Sequence, residues 1–274
     1  MSYATVMVHV GLEADEDDRV RLAADLAEGF AATLIGAAAA EPRLPFVADG
    51  MIVDGEIAVE EAQQITERMA VREAEFRVLA ARTGRPVEWR ATVDLPAEYL
   101  AREARAADLL VVGRDGEPFD PYRRLDLGRL LLRAGRPVLV VPPGRTALRV
   151  ARALVAWKDG REARRAMRDA LPLLRRADEI LVATVGEGEE GERAEAAVAD
   201  VAAYLRRQGL AGVSTKVVTE AGPAGEHLVA LAAERAVDLV VAGAYGRTRL
   251  GEWIFGGATQ SLMTACPTPC LFSH

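Results

Sequence analysis

The sequence predicts an α/β protein of two tandem domains, each a parallel sheet covered by helices on both faces. Three observations predict it. The chain repeats itself, apolar runs alternate with amphipathic stretches, and several of those runs are continuous rather than alternating. The repeat is the strongest of the three. Residues 108–116 read DLLVVGRDG and residues 238–246 read DLVVAGAYG, each an apolar run introduced by Asp and closed by Gly-x-x-Gly. An Ala-rich amphipathic stretch precedes each, PAEYLAREARAAD in one copy and PAGEHLVALAAERAVD in the other. A proline-led apolar run follows each, RPVLVVPP at 136–143 and TPCLFS at 268–273.

The elements follow in order. Copy one opens on the strand YATVMVHV, and later strands are predicted at 33–39, 87–93, 109–113 and 138–141. Its second helix is long, about 56–83, and is preceded by a loop at 42–54 that carries Pro42, Pro45 and Gly50. Pro142, Pro143 and Gly144 end the last strand and place the boundary, with domains at 1–146 and 147–274. Copy two begins with RALVAWKD at 152–159. Its strands are predicted at 152–157, 179–185, 213–219, 238–244 and 268–272, and its helices at 161–175, 192–208, 224–235 and 258–264. Near-continuous apolar strands are those covered on both sides, and strict alternation with helices means parallel βαβ units.

Bulk composition narrows the function. The chain has 274 residues, half of them hydrophobic, so each half can bury a core without staples. Its net charge is −7. An acidic surface argues against sequence-independent binding to DNA or RNA. No apolar run is long enough to span a membrane, and the start of the chain does not read as a signal peptide, so the expected location is the cytoplasm. Cys266 and Cys270 are the only cysteines and read as small buried hydrophobes rather than a metal site. His9, His227 and His274 are scattered, and no HExxH, G-x-S-x-G or Walker-type motif occurs. The acidic runs at 13–18 and 187–192 read as solvated loops or helix starts.

Ligands of open parallel sheets sit beyond the carboxyl ends of the strands, where strand order reverses. In copy two that region carries Trp157, Lys158, Asp159 and Gly160 after the first strand, and Gly243, Ala244, Tyr245 and Gly246 after the fourth. Nine residues beyond Gly246, Gly256 and Gly257 stand just before the last helix. Main-chain donors at such a turn, together with a helix N-terminus, form a nest for an anion, and Arg247 and Arg249 add charge. Asp159 also suits a cap of the following helix, and Trp157 reads as a packing residue at the crevice edge.

The pattern G-x-x-G, nine residues, then G followed by Ser or Thr resembles the nucleotide loop of the universal stress protein family. The likeness extends over both halves of the chain. It implies doubly wound domains with five-stranded parallel sheets in the order 3-2-1-4-5. It also implies ATP, with Mg, held by Gly243, Gly246, Gly256 and Gly257, and an Asp after the first strand, here Asp159, on the nucleoside. The role implied is regulatory or protective, with at most slow ATP hydrolysis; no catalytic residue is assigned. The implied assembly is an intramolecular pseudo-dimer of the two domains, or a homodimer, through the last strands. A scaffold that binds no nucleotide and acts through dimerisation and protein partners is the rival expectation.

Two departures bear on the site. Gly257 stands where ATP-binding members carry Ser or Thr, with Thr259 and Ser261 as nearby hydroxyls. Copy one has Asp126 in place of the third glycine, and its first strand ends in His9, Val10, Gly11 and Leu12 without the Asp. An acidic side chain repels a phosphate, so copy one is not expected to bind ATP in the family manner.

Overall fold

The computed structural model describes residues 2–12, 17–42, 55–114, 124–186, 188–245 and 257–274, with no side-chain detail for 55–57 and 188–190. Strand and helix alternate along the chain. Copy one runs β1 (Thr5–His9), α1 (Asp17–Phe30), β2 (Thr33–Ala40), α2 (Gly55–Ala81), β3 (Val87–Val93), α3 (Pro96–Glu103), β4 (Leu109–Gly113), α4 (Leu127–Arg133) and β5 (Val138–Val141). Copy two runs β6 (Arg152–Ala156), α5 (Arg161–Asp169), α6 (Leu171–Leu174), β7 (Glu179–Val185), α7 (Gly188–Arg207), β8 (Val213–Val218), α8 (Ala224–Glu234), β9 (Leu239–Gly243), α9 (Gly257–Ala265) and β10 (Cys270–Ser273).

The chain forms two compact units: one of Tyr3–Ala134 with Pro143–Ala147, and one in which Gly135–Pro142 joins Leu148–His274. In the first unit β1 lies between β2 and β4, and β2 pairs with β3, all parallel. In the second, copy two's own strands stand in the order β8-β7-β6-β9-β10, which is 3-2-1-4-5, again parallel. β5 belongs to this unit and pairs antiparallel with β10, with Leu139 opposite Leu271 and Val138 opposite Phe272. The fold is thus the α/β, parallel-dominated, doubly wound architecture that the alternation of elements predicts.

Strand burial follows position. Every residue of β4, β5 and β10 is buried, whereas β3 and β8 keep exposed residues along their length. Continuous apolar runs such as LLVVG and VLVV are the sequence form of a strand covered on both faces.

The helix expected at 161–175 is two pieces, α5 and α6, because Pro172 lies in the first turn of α6 and has no N–H to continue the ladder. α7 begins earlier than the periodicity suggests, at Gly188, so the acidic run opens a helix, where its charge suits the N-terminal dipole. The loop at 42–54 lies almost wholly outside the described residues.

One device is repeated in both copies. The Asp that introduces each fourth strand reaches back to the start of the first. Asp108 Oδ2 accepts from the backbone N–H of Ala4 (2.8 Å) and Thr5 (3.0 Å). Asp238 Oδ2 accepts from Ala151 (2.9 Å) and Arg152 (2.8 Å). Each carboxylate ties β1 to β4, or β6 to β9, at the end of the sheet opposite the expected ligand crevice.

Candidate functional site

In the second unit the order of connection reverses at β6 and β9, so the crevice opens beyond their carboxyl ends. Beyond β6, the Trp157 backbone N–H donates to Ala183 O at 2.7 Å, which carries the pairing with β7 one residue past the strand. Trp157 itself is only 6% exposed, and its indole N–H has no hydrogen-bond partner among the described residues. Lys158 and Asp159 are exposed. Asp159 does not cap α5. Gly160 is the cap residue and supplies no side-chain bond, while Asp159 Oδ1 accepts from Arg164 Nη2 at 2.7 Å. The N-terminus of α5 is therefore free of a side-chain cap and has a carboxylate standing beside it.

At the end of β9, Gly243 packs against the first turn of α5. A Cβ there would lie 2.6 Å from Ala163 N, a backbone atom, so only glycine admits the approach. Ala244 and Tyr245 follow, both buried, and Tyr245 has φ 56°, a left-handed conformation uncommon for a bulky residue. The end of β9 is fastened further by Ala244 N donating to Ser273 O, and by His274 Nδ1 3.0 Å from Ala244 O. The Tyr245 and His274 rings meet edge to face. Gly246 and Gly256, like Arg247 and Arg249, lie outside the described residues.

Gly257 opens α9, and among the described residues no atom lies within 4 Å of the place a Cβ would occupy. Of the two nearby hydroxyls, Ser261 Oγ donates to Gly257 O within the helix and Thr259 is buried. α9 is seated by Gly225 of α8, whose added Cβ would lie 2.5 Å from Ser261 Oγ and 2.9 Å from Ala258 Cα.

The charge around α5 is balanced locally. Burial pushes the Glu162 carboxyl up, but Arg161 and the helix's own N–H pull harder, and the net pKa is below the ordinary carboxylate value. Asp169 goes the other way. Burial holds it above that value even though Ser273 Oγ donates to it at 2.9 Å and Arg165 stands nearby.

The equivalent place in copy one is filled by its own chain. Val10 N donates to Ala37 O as Trp157 N does to Ala183 O, so Val10 matches Trp157 and Leu12 matches Asp159; both are buried aliphatics. The Arg19 guanidinium lies against Gly113, the counterpart of Gly243. Arg72, 5% exposed, donates from α2 to Gly11 O and Asp17. Asp126, read from sequence as a repulsive departure, is the N-cap of α4: its carboxylate accepts from Arg129 N at 2.9 Å. An Asp immediately before an apolar run is an N-cap signal that sequence could have supplied. Nothing in the spacing foretold Arg164 on Asp159 or the unpaired indole.

A cavity of about 250 Å³ opens at the far end of the second unit's sheet, among Arg152, Glu179, Gly212, Ser214 and Arg235. Its charged residues are exposed and of both signs, so it holds no built site. Among the described residues no cluster of three or more His, Cys, Asp or Glu side chains is placed for a metal, and no helix is long and apolar enough to cross a membrane. Cys266 and Cys270 are buried, as expected, with Cys270 Sγ 3.2 Å from Thr268 O.

Comparison with known proteins agrees with this fold. No curated protein matches the sequence. Among solved structures, a universal stress protein from Archaeoglobus fulgidus DSM 4304 is 15% identical over 98% of this chain and 95% of its own, with a TM-score of 0.73. A functionally unknown protein from Pseudomonas aeruginosa PAO1 is 17% identical over 99% and 92%, with a TM-score of 0.58. At such identities these likenesses establish the fold. The family model of the universal stress protein family matches residues 149–274. Residues 149–274 are thus similar to the universal stress protein family, and the chain as a whole shares its fold with a solved universal stress protein.

Proposed function

We propose that the second domain, about residues 147–274, binds adenine nucleotide, ATP with Mg, in a regulatory or protective stress role, and that the first domain, about 1–146, does not. One observation carries the reading: the two copies differ at the same places, and in one direction. Copy one caps its last helix with Asp126 and lines its first strand's end with Val10 and Leu12. Copy two opens α9 on Gly257, where an added Cβ would meet none of the described residues, and presents Trp157 and Asp159. A helix N-terminus attracts a phosphate, and one filled by a carboxylate, as at α4, repels it. In this reading Gly243, Gly246, Gly256 and Gly257 supply backbone donors and Asp159 meets the nucleoside, sharing its carboxylate with Arg164. The protein acts in the cytoplasm.

The β5–β10 pairing favours a second element of the reading, in which the last strands of the two copies join as an intramolecular pseudo-dimer. That arrangement also suits the scaffold alternative, in which Gly243 serves packing alone. The two readings part on nucleotide content. Acid release from freshly purified protein, followed by chromatography, is expected to yield adenine nucleotide, and stripped protein is expected to melt higher with Mg-ATP. Protein that carries none and whose melting temperature is indifferent to millimolar Mg-ATP would leave the scaffold.

A further inference from the structure

We propose that the indole N–H of Trp157 is a ligand donor of the second crevice, meeting a ring nitrogen of a bound purine. The proposal rests on the nucleotide reading above and adds to it a residue and a contact.

Buried N–H groups are nearly always paired, and leaving one unpaired destabilises the fold. Trp157 is 6% exposed and its Nε1–H has no partner among the described residues. The residue stands one position past β6, at the point where strand connection reverses, between the pairing to Ala183 and the uncapped start of α5. The fold does not require a polar group at this place. Copy one makes the same backbone bond, from Val10 to Ala37, and puts there a valine that is 1% exposed. Copy one thus carries no donor at this position, and copy two carries a buried one with no partner among the described residues.

The chemistry of the acceptor follows from the surroundings. A phosphate or carboxylate is expensive to desolvate beside a buried indole, and phosphate has backbone donors at α9. A flat, mostly apolar ring with an in-plane lone pair can enter, stack and accept at once. Purine nitrogens have that form.

The test uses whole protein labelled with ¹⁵N at its indoles, stripped of nucleotide and titrated with Mg-ATP. The Trp157 signal is assigned by its loss in Trp157→Phe, which keeps an aromatic ring and removes the N–H. The expected result is a downfield shift of the Trp157 N–H on binding, with about tenfold weaker ATP affinity in Trp157→Phe. Deaza analogues of ATP, each with one ring nitrogen replaced by C–H, give a readout on wild-type protein that does not depend on the variant folding. One of them is expected to lose about the same factor, and to bind wild type and Trp157→Phe alike. ATP binding that leaves the indole signal in place, or equal affinity for every deaza analogue, overturns the Trp157 contact and leaves the nucleotide site standing. If no resonance moves and no binding is seen, the nucleotide reading fails and this contact falls with it.

Discussion

At the scale of single residues, glycines that look alike in sequence do different work. Gly243 admits the backbone of α5, while its counterpart Gly113 faces only the end of the Arg19 side chain. Gly243→Ala is therefore expected to destabilise the protein by about 1–3 kcal/mol through overpacking. Gly113→Ala should cost less, since Arg19 can swing away; equal losses in urea titrations would contradict the assignment. A Cβ at Gly257 would meet none of the described residues, so Gly257→Ser should leave the fold intact and restore the hydroxyl that the family pattern carries. Its expected effect is tighter Mg-ATP binding with an unchanged denaturation midpoint; unchanged affinity would mean that the lost hydroxyl does not limit the site. Asp126 shows what sequence could and could not say. Its clash with a phosphate and its N-cap position before an apolar run were both legible, while the bond it makes, to Arg129 N, came only with the structure.

At the scale of elements, the two Asp straps account for the residue that opens each repeated apolar run. Both backbone donors go to a single oxygen of Asp238, so Asp238→Asn can keep the geometry whereas Asp238→Ala cannot. The alanine variant is expected to lose about 1–3 kcal/mol and the asparagine variant distinctly less; equal losses would mean that charge rather than the bond is what matters. The seat of α5 on β10 has a pH signature. Asp169 is held above the ordinary carboxylate pKa by burial, so the folded state binds its proton more tightly than the unfolded state does. Its contribution is fully present below the ordinary carboxylate pKa and is lost as pH rises from there through the raised folded value. Asp169→Asn, whose amide oxygen can still accept from Ser273, should raise stability at neutral pH, with the difference shrinking on acidification. A constant difference across that range, measured by urea unfolding, would remove Asp169 as the cause. Strand order, helix alternation and the closing apolar runs were all legible, because period and burial are written along the chain. The break between α5 and α6 was announced by Pro172 but hidden by the apolar run around it, and the early start of α7 by residues that suit loop and helix end equally.

At the scale of the whole molecule, duplication supplied two copies of one architecture, and the copies diverged at the crevice while keeping the frame. The Asp straps, the bond one residue past the first strand and the parallel order of the first four strands are common to both. What differs is polar against apolar at the crevice: Trp157 and Asp159 against Val10 and Leu12. That contrast was half visible beforehand, since the missing Asp of copy one can be read from sequence. The approach of Arg19 to Gly113 and of Arg72 to Gly11 cannot, because each partner is remote in sequence with no spacing rule to join it. The central claim, one nucleotide site per chain and that site in copy two, is tested most directly by calorimetric titration of nucleotide-stripped protein with Mg-ATP. The predicted result is micromolar binding at one site per chain, abolished by Gly246→Val. Absence of heat up to millimolar ATP, or a second site of similar affinity that survives Gly246→Val, would contradict it.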